Sequence, residues 1–509
     1  MKIWVPALLM TAALSAILAP APAKAEDAAV LMIKHAVFAG WQLGDGKVKS
    51  LTFKRSVADK GGKLAYAGAE AHSGMLYRKD DISSDGTAGS NGFTGNLFWE
   101  SHENGFTTPV IGDASGYYLA LDAFLAEGTP QLPAVNNGTD TIDGKPVDIV
   151  NVTMQGAKAM NIYVDSATGA YLKVVIDPGG DYETTIDKIR YATVGNKKFV
   201  SSLRYDDGST VTYSDFKVNA PVGNDLLHPP APSATWAFTN DKPFKVKVTQ
   251  QNVSFDATVN GVKGRFLFDT GADGILVTQA FARAVNAKTF SHTQTYGIGG
   301  EGATKTDLMK VDTIQIGGNT LSNVVISSNK AQFRDEDGTP LDGLIGFGLL
   351  GGAVVELSTS DQTMTIHDPM TSLDPFAGVV VSPDLSSGTP VIPMKMNGTV
   401  DVSATLDMGD EFQVLFPHDL PAKTGMKFFV DNSSAASHIE FSGVNGTEVD
   451  ECGDLDSLAV GPIVYGPFPG CTSFSMTGRD IIVGYDLLKN FDFVFAYPQG
   501  KMIMNPHRQ

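Results

Sequence analysis

Short runs of alternating apolar and polar residues, separated by turn sequences, recur along this chain of 509 residues. Residues 63–66, 148–153 and 160–164 are three such runs, and a period of two predicts half-buried β-strands. Turn pairs such as Asp143-Gly144 fall between the runs. A helix is predicted over 117–127. The pattern therefore predicts a mainly β fold that begins with a sheet-dominated region.

Composition supports a folded, β-rich protein. Hydrophobic residues make up 42% of the chain and charged residues 18%, so the chain can build real cores. The 54 glycines agree with many turns. The net charge is −18, from 38 Lys and Arg against 56 Asp and Glu. Nucleic-acid binders need basic patches to displace counterions from phosphates, so nucleic acid is excluded as a partner.

Residues 1–25 have the features of a signal peptide. Lys2 supplies the positive start, 8–18 form an apolar run, and 23–25 read Ala-Lys-Ala before Glu26. The alternative is a membrane anchor, but the apolar run is too short to span a bilayer. We expect an exported protein that is periplasmic or secreted.

A proline-rich stretch at 224–233 marks the clearest division of the chain. We predict an N-terminal β-rich accessory domain over 26–222 and a linker over 223–239. An ordered edge strand packed on a neighbour is the alternative for the linker. Two further lobes are predicted over 240–375 and 376–509.

An internal repeat supports those two lobes. Residues 266–272 align with 404–410, and 344–350 align with 482–488. Both pairs share an offset of 138 residues (407 − 269 and 484 − 346). Two weaker matches lie between them in the same order, and this favours duplication over chance.

The repeat supplies two aspartates with a possible shared chemistry. Asp269 ends an apolar strand in an Asp-Thr-Gly turn, which by itself is an ordinary turn in any β protein. If two duplicated lobes meet about a pseudo-twofold axis, Asp269 and Asp407 lie side by side and share one proton. One carboxylate then acts as general base on a water, and the other polarises a carbonyl. Neither a nucleophilic side chain nor a cofactor is required.

Residues 245–507 resemble the bacterial retropepsin-like aspartic peptidases, arranged as two lobes in one chain as in the pepsins. The resemblance rests on 268–272, which read Phe-Asp-Thr-Gly-Ala, and on the apolar-apolar-Gly runs 344–346 and 482–484. It implies a bilobal aspartic-protease β fold and a polypeptide substrate. It also implies that Asp269 and Asp407 are catalytic, and that three residues support the loops, with the Thr hydroxyl bracing them: Thr270, Gly271 and Gly409.

The resemblance also implies a substrate-covering flap over 296–302. Its members are Tyr296, Gly297, Gly299 and Gly300, and the glycines suit a mobile hairpin tip. An ordinary glycine-rich hairpin is the alternative reading of this stretch.

The second half departs from the family pattern. Met408 stands where the family has Thr or Ser, which removes a bracing hydroxyl, and Asp410 adds a third acid. A third carboxylate raises the shared pKa, or loosens the geometry and abolishes activity. Either Asp407 still works, or the second lobe is degenerate and the chain pairs through its first lobes or is inactive. A monomer and a homodimer both remain open.

The two cysteines, Cys452 and Cys471, are expected to pair in an oxidising compartment. Two free thiols are the alternative. No metal site is expected, because two cysteines without a nearby histidine provide too few ligands. His292, His367, His418 and His438 are scattered and are interpreted as surface or structural residues.

The N-terminal region resembles the half-barrel of LolA-like periplasmic lipoprotein carriers. The resemblance rests on the consecutive runs 143–153, 162–169 and 171–176, which predict a curved antiparallel sheet. It implies an acyl chain or an extended peptide bound in the concave face. A structural or pro-region-like accessory domain is the alternative.

The sequence thus predicts an exported aspartic endopeptidase that uses an Asp dyad. The rival is a catalytically inactive peptide- or lipid-binding envelope protein that keeps the aspartic-protease fold. A structural envelope component is a third reading, but it leaves the duplication unexplained.

Overall fold

The computed structural model confirms the predicted fold class, a mainly β protein with a half-barrel-like sheet and two lobes. It describes the following residues: 26–40, 48–74, 76–84, 86–102, 105–111, 113–125, 132–180, 182–295, 304–425, 438–443, 446–474, 476 and 480–507. The predicted signal peptide and the predicted flap residues Tyr296, Gly297, Gly299 and Gly300 lie outside the described residues.

The first sheet contains 13 antiparallel strands in the order β6-β5-β4-β3-β2-β1-β13-β12-β11-β10-β9-β8-β7. Its strands are β1 Ser50–Ala58, β2 Leu64–Ser73, β3 Leu76–Ser83, β4 Ala88–Phe93, β5 Phe98–Ser101, β6 Thr107–Val110, β7 Ala134–Ile142, β8 Lys145–Val152, β9 Met160–Asp165, β10 Tyr171–Ile176, β11 Thr184–Val194, β12 Lys197–Tyr205 and β13 Thr210–Val218. Asp143 and Gly144 both have positive φ in the hairpin between β7 and β8, which is the backbone that an Asp-Gly turn favours.

Two helices cover one face of this sheet, α1 Ala28–Phe38 and α2 Asp113–Leu125. Both contact Tyr171 of β10: the His35 ring of α1 stacks on it at 3.4 Å, and the Phe124 ring of α2 lies at 6.3 Å. The side chain of Asp27 caps α1 by accepting a hydrogen bond from the backbone of Ala29. Helix α2 overlaps the predicted helix at 117–127, whereas α1 was not predicted.

The first lobe is built on a closed six-strand barrel, because β21 pairs with both β17 and β22. Its elements are β14 Thr235–Ala237, β15 Phe244–Lys245, β16 Lys247–Val248, β17 Val253–Val259, β18 Val262–Phe268, β19 Ile275–Thr278, α3 Gln279–Ala284, β20 Lys288–Thr295, β21 Thr304–Ile316, β22 Asn319–Asn329, β23 Phe333–Arg334, β24 Pro340–Leu341, β25 Gly343–Ile345, α4 Phe347–Leu350, β26 Val354–Ser358 and β27 Thr363–His367.

The second lobe has a nine-stranded sheet in the order β32-β33-β36-β31-β37-β30-β29-β34-β35. Its elements are β28 Val379–Val381, β29 Val391–Met396, β30 Val400–Asp407, β31 Val414–Pro417, α5 Leu420–Thr424, β32 His438–Gly443, β33 Gly446–Leu455, β34 Leu458–Val460, β35 Ile463–Tyr465, β36 Phe468–Ser473, β37 Asp480–Gly484, α6 Tyr485–Leu488, β38 Phe491–Ala496 and β39 Lys501–Pro506.

A six-stranded sheet joins the two lobes. It runs in the order β15-β27-β26-β38-β39-β28, so strands from both lobes hydrogen bond within one sheet. The pairing of Val355 with Phe495 is the central link. One hydrophobic cluster extends through both lobes, including Phe268 of the first and Leu406 of the second. The lobes therefore share a core, and this fixes the position of the loops that lie between them.

The N-terminal sheet packs on the first lobe through its edge strand β6. Phe106, just before β6, is buried in the hydrophobic cluster of the lobes, and the His102 ring contacts Phe347 of α4 at 4.5 Å. The proline-rich stretch follows this edge, where Ser233 donates a backbone hydrogen bond to Gly105 at 3.0 Å. It contains a 3₁₀ turn, Asn224–Leu226, and leads into β14, which pairs with β22.

In the part of the chain that the structure describes, no helix has both the length and the apolar character needed to cross a membrane.

Candidate active site

Two loops meet between the lobes, each at the end of an inner strand. Loop 1 (269–272) follows β18, and loop 2 (407–410) begins at the last residue of β30. Strand β18 lies parallel to β25, with Phe268 opposite Ile345, and β30 lies parallel to β37, with Leu406 opposite Val483. The same pairing therefore presents both loops.

Each loop holds its own aspartate through a backbone hydrogen bond. Gly271 donates its N–H to Asp269 Oδ1 at 2.9 Å, and Gly409 donates its N–H to Asp407 Oδ1 at 2.8 Å. A Cβ atom on Gly271 would overlap the Asp407 carboxyl, and a Cβ atom on Gly409 would overlap the Asp269 carboxyl. Glycine is required at both positions because each loop approaches the opposite aspartate so closely.

The two predicted aspartates are brought together. The carboxyl groups of Asp269 and Asp407 are hydrogen bonded to each other. Burial and the charge of Asp407 raise the pKa of Asp269 well above its ordinary value, and burial also raises the pKa of Asp407. Two such carboxyls cannot both ionise easily, because the charge of one disfavours the charge of the other.

Thr270 links the two loops. Its buried hydroxyl donates a hydrogen bond to the carbonyl of Leu406 at 2.6 Å and accepts one from the backbone N–H of Met408 at 2.9 Å. The hydroxyl therefore fixes loop 2 against loop 1. Met408 is 1% exposed and its side chain belongs to the hydrophobic cluster, so it returns no equivalent hydrogen bond from loop 2.

Asp410 adds a third carboxyl beside the pair. Its Oδ1 accepts a hydrogen bond from the backbone N–H of Phe412 at 3.0 Å, while its Oδ2 is enclosed without a partner among the described residues. Burial and the charge of Asp407 raise the pKa of Asp410 to about 7. Loop 2 therefore carries one more titratable group than loop 1, which has Ala272 at the aligned position.

The apolar-apolar-Gly runs lie behind the loops. Gly346 and Gly484 have no room for a Cβ, which would overlap backbone oxygens of loop 1 and of the chain after loop 2. The residues that follow each glycine, Phe347 and Tyr485, donate their backbone N–H groups to the backbone carbonyls of Ala272 at 3.0 Å and of Asp410 at 2.6 Å. Sequence reasoning missed these two donors, although each directly follows a glycine that it had singled out.

The remaining predicted groups lie away from the loops. Cys452 and Cys471 face each other on β33 and β36 and form a disulfide. Three of the four histidines have local partners: His292 contacts Asp307, His367 contacts Glu356, and His418 stacks on Phe474. Within the described ranges, no group of three or more His, Cys, Asp or Glu residues is arranged to hold a metal ion.

Comparisons with known proteins match the two parts of the chain separately. The family model described as aspartyl protease matches residues 255–349, which include loop 1 and β25. A retropepsin-like aspartic protease from Rickettsia conorii shares 18% identity, covering 26% of this chain and 92% of its own, with a TM-score of 0.19. A search of curated proteins gave no match.

Two solved structures match the N-terminal part of the chain. One is a putative outer membrane lipoprotein-sorting protein domain from Vibrio parahaemolyticus, which shares 12% identity with this chain at a TM-score of 0.29. The match covers 39% of this chain and 95% of that domain. The other is a LolA superfamily protein from Nitrosomonas europaea, which shares 12% identity at a TM-score of 0.30. The match covers 40% of this chain and 99% of that protein. The chain is therefore similar to aspartic proteases over residues 255–349, within its first lobe, and its N-terminal part is similar to LolA-like proteins.

Proposed function

We propose that this protein is an exported aspartic endopeptidase. The observation that carries the proposal is the hydrogen-bonded pair of Asp269 and Asp407, held at the ends of two similarly paired strands. A carboxyl pair that shares one proton can act as an acid and a base in the same step. We also propose the domain division that the sequence predicts, at 223–239 and near 375.

The reaction needs only water and the carboxyl pair. The ionised carboxylate takes a proton from water as the water oxygen bonds to the peptide carbonyl carbon, and the protonated partner gives its proton to the carbonyl oxygen. The resulting gem-diol collapses as one of its hydroxyls returns a proton to the carboxylate that was ionised in the first step, the C–N bond breaks, and the amine nitrogen takes a proton from the other, protonated carboxyl. The products are one carboxylic acid and one amine, and no acyl-enzyme forms.

Cleavage of casein across acidic to mildly alkaline pH tests this proposal. We expect wild-type protein to cut casein and a statine-type inhibitor to block it. Asp269→Asn and Asp407→Asn should each abolish cleavage, and Asp312→Asn, an exposed aspartate of β21, is the matched control. Loss in Asp269→Asn alone would indicate a site completed by a second copy. No cleavage by folded wild-type protein at any pH would contradict the proposal.

A second candidate is a catalytically inactive peptide-binding envelope protein. Met408 favours it, because its side chain carries no hydroxyl, so Thr270 alone of these two aligned residues braces the loops with a hydroxyl group. A folded protein that binds an unfolded polypeptide without cutting it would support this candidate.

Export is the part of the proposal that concerns residues 1–25. A disulfide between Cys452 and Cys471 supports it, since disulfides persist in oxidising compartments. Sequencing the N-terminus of the protein recovered from the envelope or medium tests it, and we expect Glu26 as the first residue. A cytoplasmic location with an intact N-terminus would contradict export.

The acyl chain expected at the N-terminal sheet stays a prediction. The face of the described sheet that α1 and α2 cover also carries charged side chains, and burying charge against an acyl chain is unfavourable.

A further inference from the structure

The residues that flank the turn between β5 and β6 pack against the short helix α4 of the first lobe. The His102 ring lies 4.5 Å from the Phe347 ring of α4, and Phe106 is buried in the hydrophobic cluster of the lobes. His102 Nε2 and the buried Thr108 hydroxyl are hydrogen bonded at 2.7 Å, and this contact orients the ring. Burial lowers the pKa of His102 to about 4, so the ring is neutral at neutral pH and packs as an aromatic group.

Phe347 connects this contact to loop 1. It directly follows Gly346, and its backbone N–H donates a hydrogen bond to the carbonyl of Ala272, the last residue of loop 1, at 3.0 Å. Its buried ring is also stacked with Tyr497 at 6.0 Å. A buried ring that packs against two other rings cannot move without disturbing them, because protein interiors are close-packed. The position of His102 therefore bears on the position of the Ala272 carbonyl.

A second contact from the N-terminal sheet reaches the same loop. The hydroxyl of Tyr182, which lies just before β11, donates a hydrogen bond to Asp384 Oδ2 at 3.5 Å. Asp384 begins a turn that closes where its backbone pairs with Val391, through N–H to carbonyl bonds of 2.8 and 3.0 Å. Within that turn, a Cβ on Gly388 would lie 2.9 Å from the Cβ of Asp273, the residue after loop 1. The turn therefore packs directly on the end of loop 1.

Loop 2 is supported in a different way. The internal offset of 138 residues aligns Phe347 with Tyr485 (485 − 347). Tyr485 donates its backbone N–H to the carbonyl of Asp410, the last residue of loop 2, just as Phe347 does for loop 1. The Tyr485 hydroxyl, however, donates a hydrogen bond to the carbonyl of Thr249 in the first lobe at 3.2 Å. The support of loop 2 thus comes from within the two lobes, whereas loop 1 is supported from the N-terminal sheet.

We propose that the N-terminal sheet positions loop 1 for catalysis. His102 and Tyr182 act as positioning residues, the first through α4 and the second through the turn 384–391. This inference rests on the proposed function, because it concerns the geometry of the aspartate pair. A shift of loop 1 moves Asp269 relative to Asp407, and a displacement of about 1 Å at a catalytic group can lower the rate about 100-fold. The N-terminal sheet is then a part of the working enzyme and not a pro-region that is discarded.

Two measurements on the full chain carrying both His102→Ala and Tyr182→Phe test the proposal. The first is amide hydrogen exchange by mass spectrometry, which compares loop 1 with loop 2 in the same molecule. We expect exchange in 266–275 to become about tenfold faster and exchange in 404–413 to stay as in wild-type protein, since only loop 1 loses a support. The second is cleavage of a fluorogenic peptide. Its kcat should fall about tenfold or more while KM changes little, because transition-state geometry is lost rather than substrate contacts.

The matched control carries His228→Ala and Tyr66→Phe, which change the same residue types at exposed positions and should leave both measurements unchanged. His102→Phe in place of His102→Ala keeps an aromatic ring beside Phe347 and should restore most of kcat. Circular dichroism shows whether each variant is folded. If the double variant is not folded, Thr108→Val, which releases the His102 ring without removing it, keeps the test decisive.

Three results would overturn the proposal: unchanged exchange in loop 1, equally faster exchange in both loops, or faster exchange in loop 1 with unchanged kcat. Equal losses of kcat in His102→Ala and His102→Phe would also overturn it, because the ring would then have no role. Failure of the proposed function gives a different result, in which wild-type protein cuts no peptide. Faster exchange confined to loop 1 would in that case still establish that the N-terminal sheet holds this loop, and unchanged exchange would overturn that as well.

Discussion

Thr270 and Met408 occupy aligned positions in the two loops, yet only Thr270 bonds across the boundary between the lobes with its side chain. Its hydroxyl donates to the Leu406 carbonyl and accepts the Met408 N–H, at 2.6 and 2.9 Å. Met408 contributes apolar packing instead. The contact between the loops therefore depends on one hydroxyl rather than two, and its removal should have a large effect.

Thr270→Val is expected to reduce the free energy of unfolding by about 1–3 kcal/mol, because it leaves a buried carbonyl and a buried N–H without partners while keeping the side-chain shape. Urea denaturation measures the change. Thr313→Val, a half-buried threonine of β21, is the control and should change it by less than about 1 kcal/mol. Equal changes in the free energy of unfolding for both substitutions would contradict a stabilising role of the Thr270 hydroxyl between the loops.

Gly271→Ala is expected to lower kcat/KM for peptide cleavage by about 100-fold or more, since the new Cβ would overlap the Asp407 carboxyl and displace it. Gly274→Ala is a matched control, because a Cβ there meets open space and the backbone does not need glycine. A fluorogenic peptide assay measures kcat/KM for both variants. Unchanged activity in Gly271→Ala would contradict the role of the pair.

Asp410 should make stability fall as pH rises. Its pKa is raised from the ordinary value near 4 to about 7 by burial and by Asp407, so the folded state binds more protons between these values. Stability from this group is full below pH 4 and is lost as pH rises to about 7, at no more than about 1.4 kcal/mol per pH unit. Asp410→Asn should remove this part of the pH dependence.

Urea denaturation of wild-type protein and Asp410→Asn at pH 4, 5, 6, 7 and 8 checks this expectation. The asparagine oxygen can still accept the Phe412 N–H, so the variant keeps that local contact. Asp312→Asn serves as the exposed control. Parallel stability profiles for wild-type protein and Asp410→Asn would show that Asp410 is not buried as described.

Phe106 should couple the N-terminal sheet to the lobes. It is 4% exposed within the hydrophobic cluster of the lobes, and a Cβ on Gly352 would overlap its ring. Phe106→Ala is expected to cost about 3–5 kcal/mol and to split thermal unfolding into two transitions. Scanning calorimetry measures both effects. Phe290→Ala, with a 48% exposed side chain, is the control, and a single unshifted transition in Phe106→Ala would contradict the coupling.

The sequence predicted the fold class and the two aspartates because their signals are local or periodic. Alternation of apolar residues marks strands wherever one face is buried, and 160–164 became β9 almost unchanged. Asp269 and Asp407 follow apolar strands at a fixed offset, so their pairing was a prediction from spacing alone. Helix α1 escaped prediction because its residues are apolar except for Lys34 and His35, so the helix has no clear polar face.

Other features depend on which strands lie side by side. Glu70, Lys79, Asn91 and Glu100 are far apart in sequence, and only the register of β2 to β5 brings them into one row. Burial, which decides the pKa of Asp410 and of Glu100, is likewise a property of the packed structure. The sequence determined the strands and the two candidate loops, because backbone preference and periodicity are local properties. The tertiary structure decided which charged groups meet and which stay unpaired, because register and burial depend on residues that are distant in sequence.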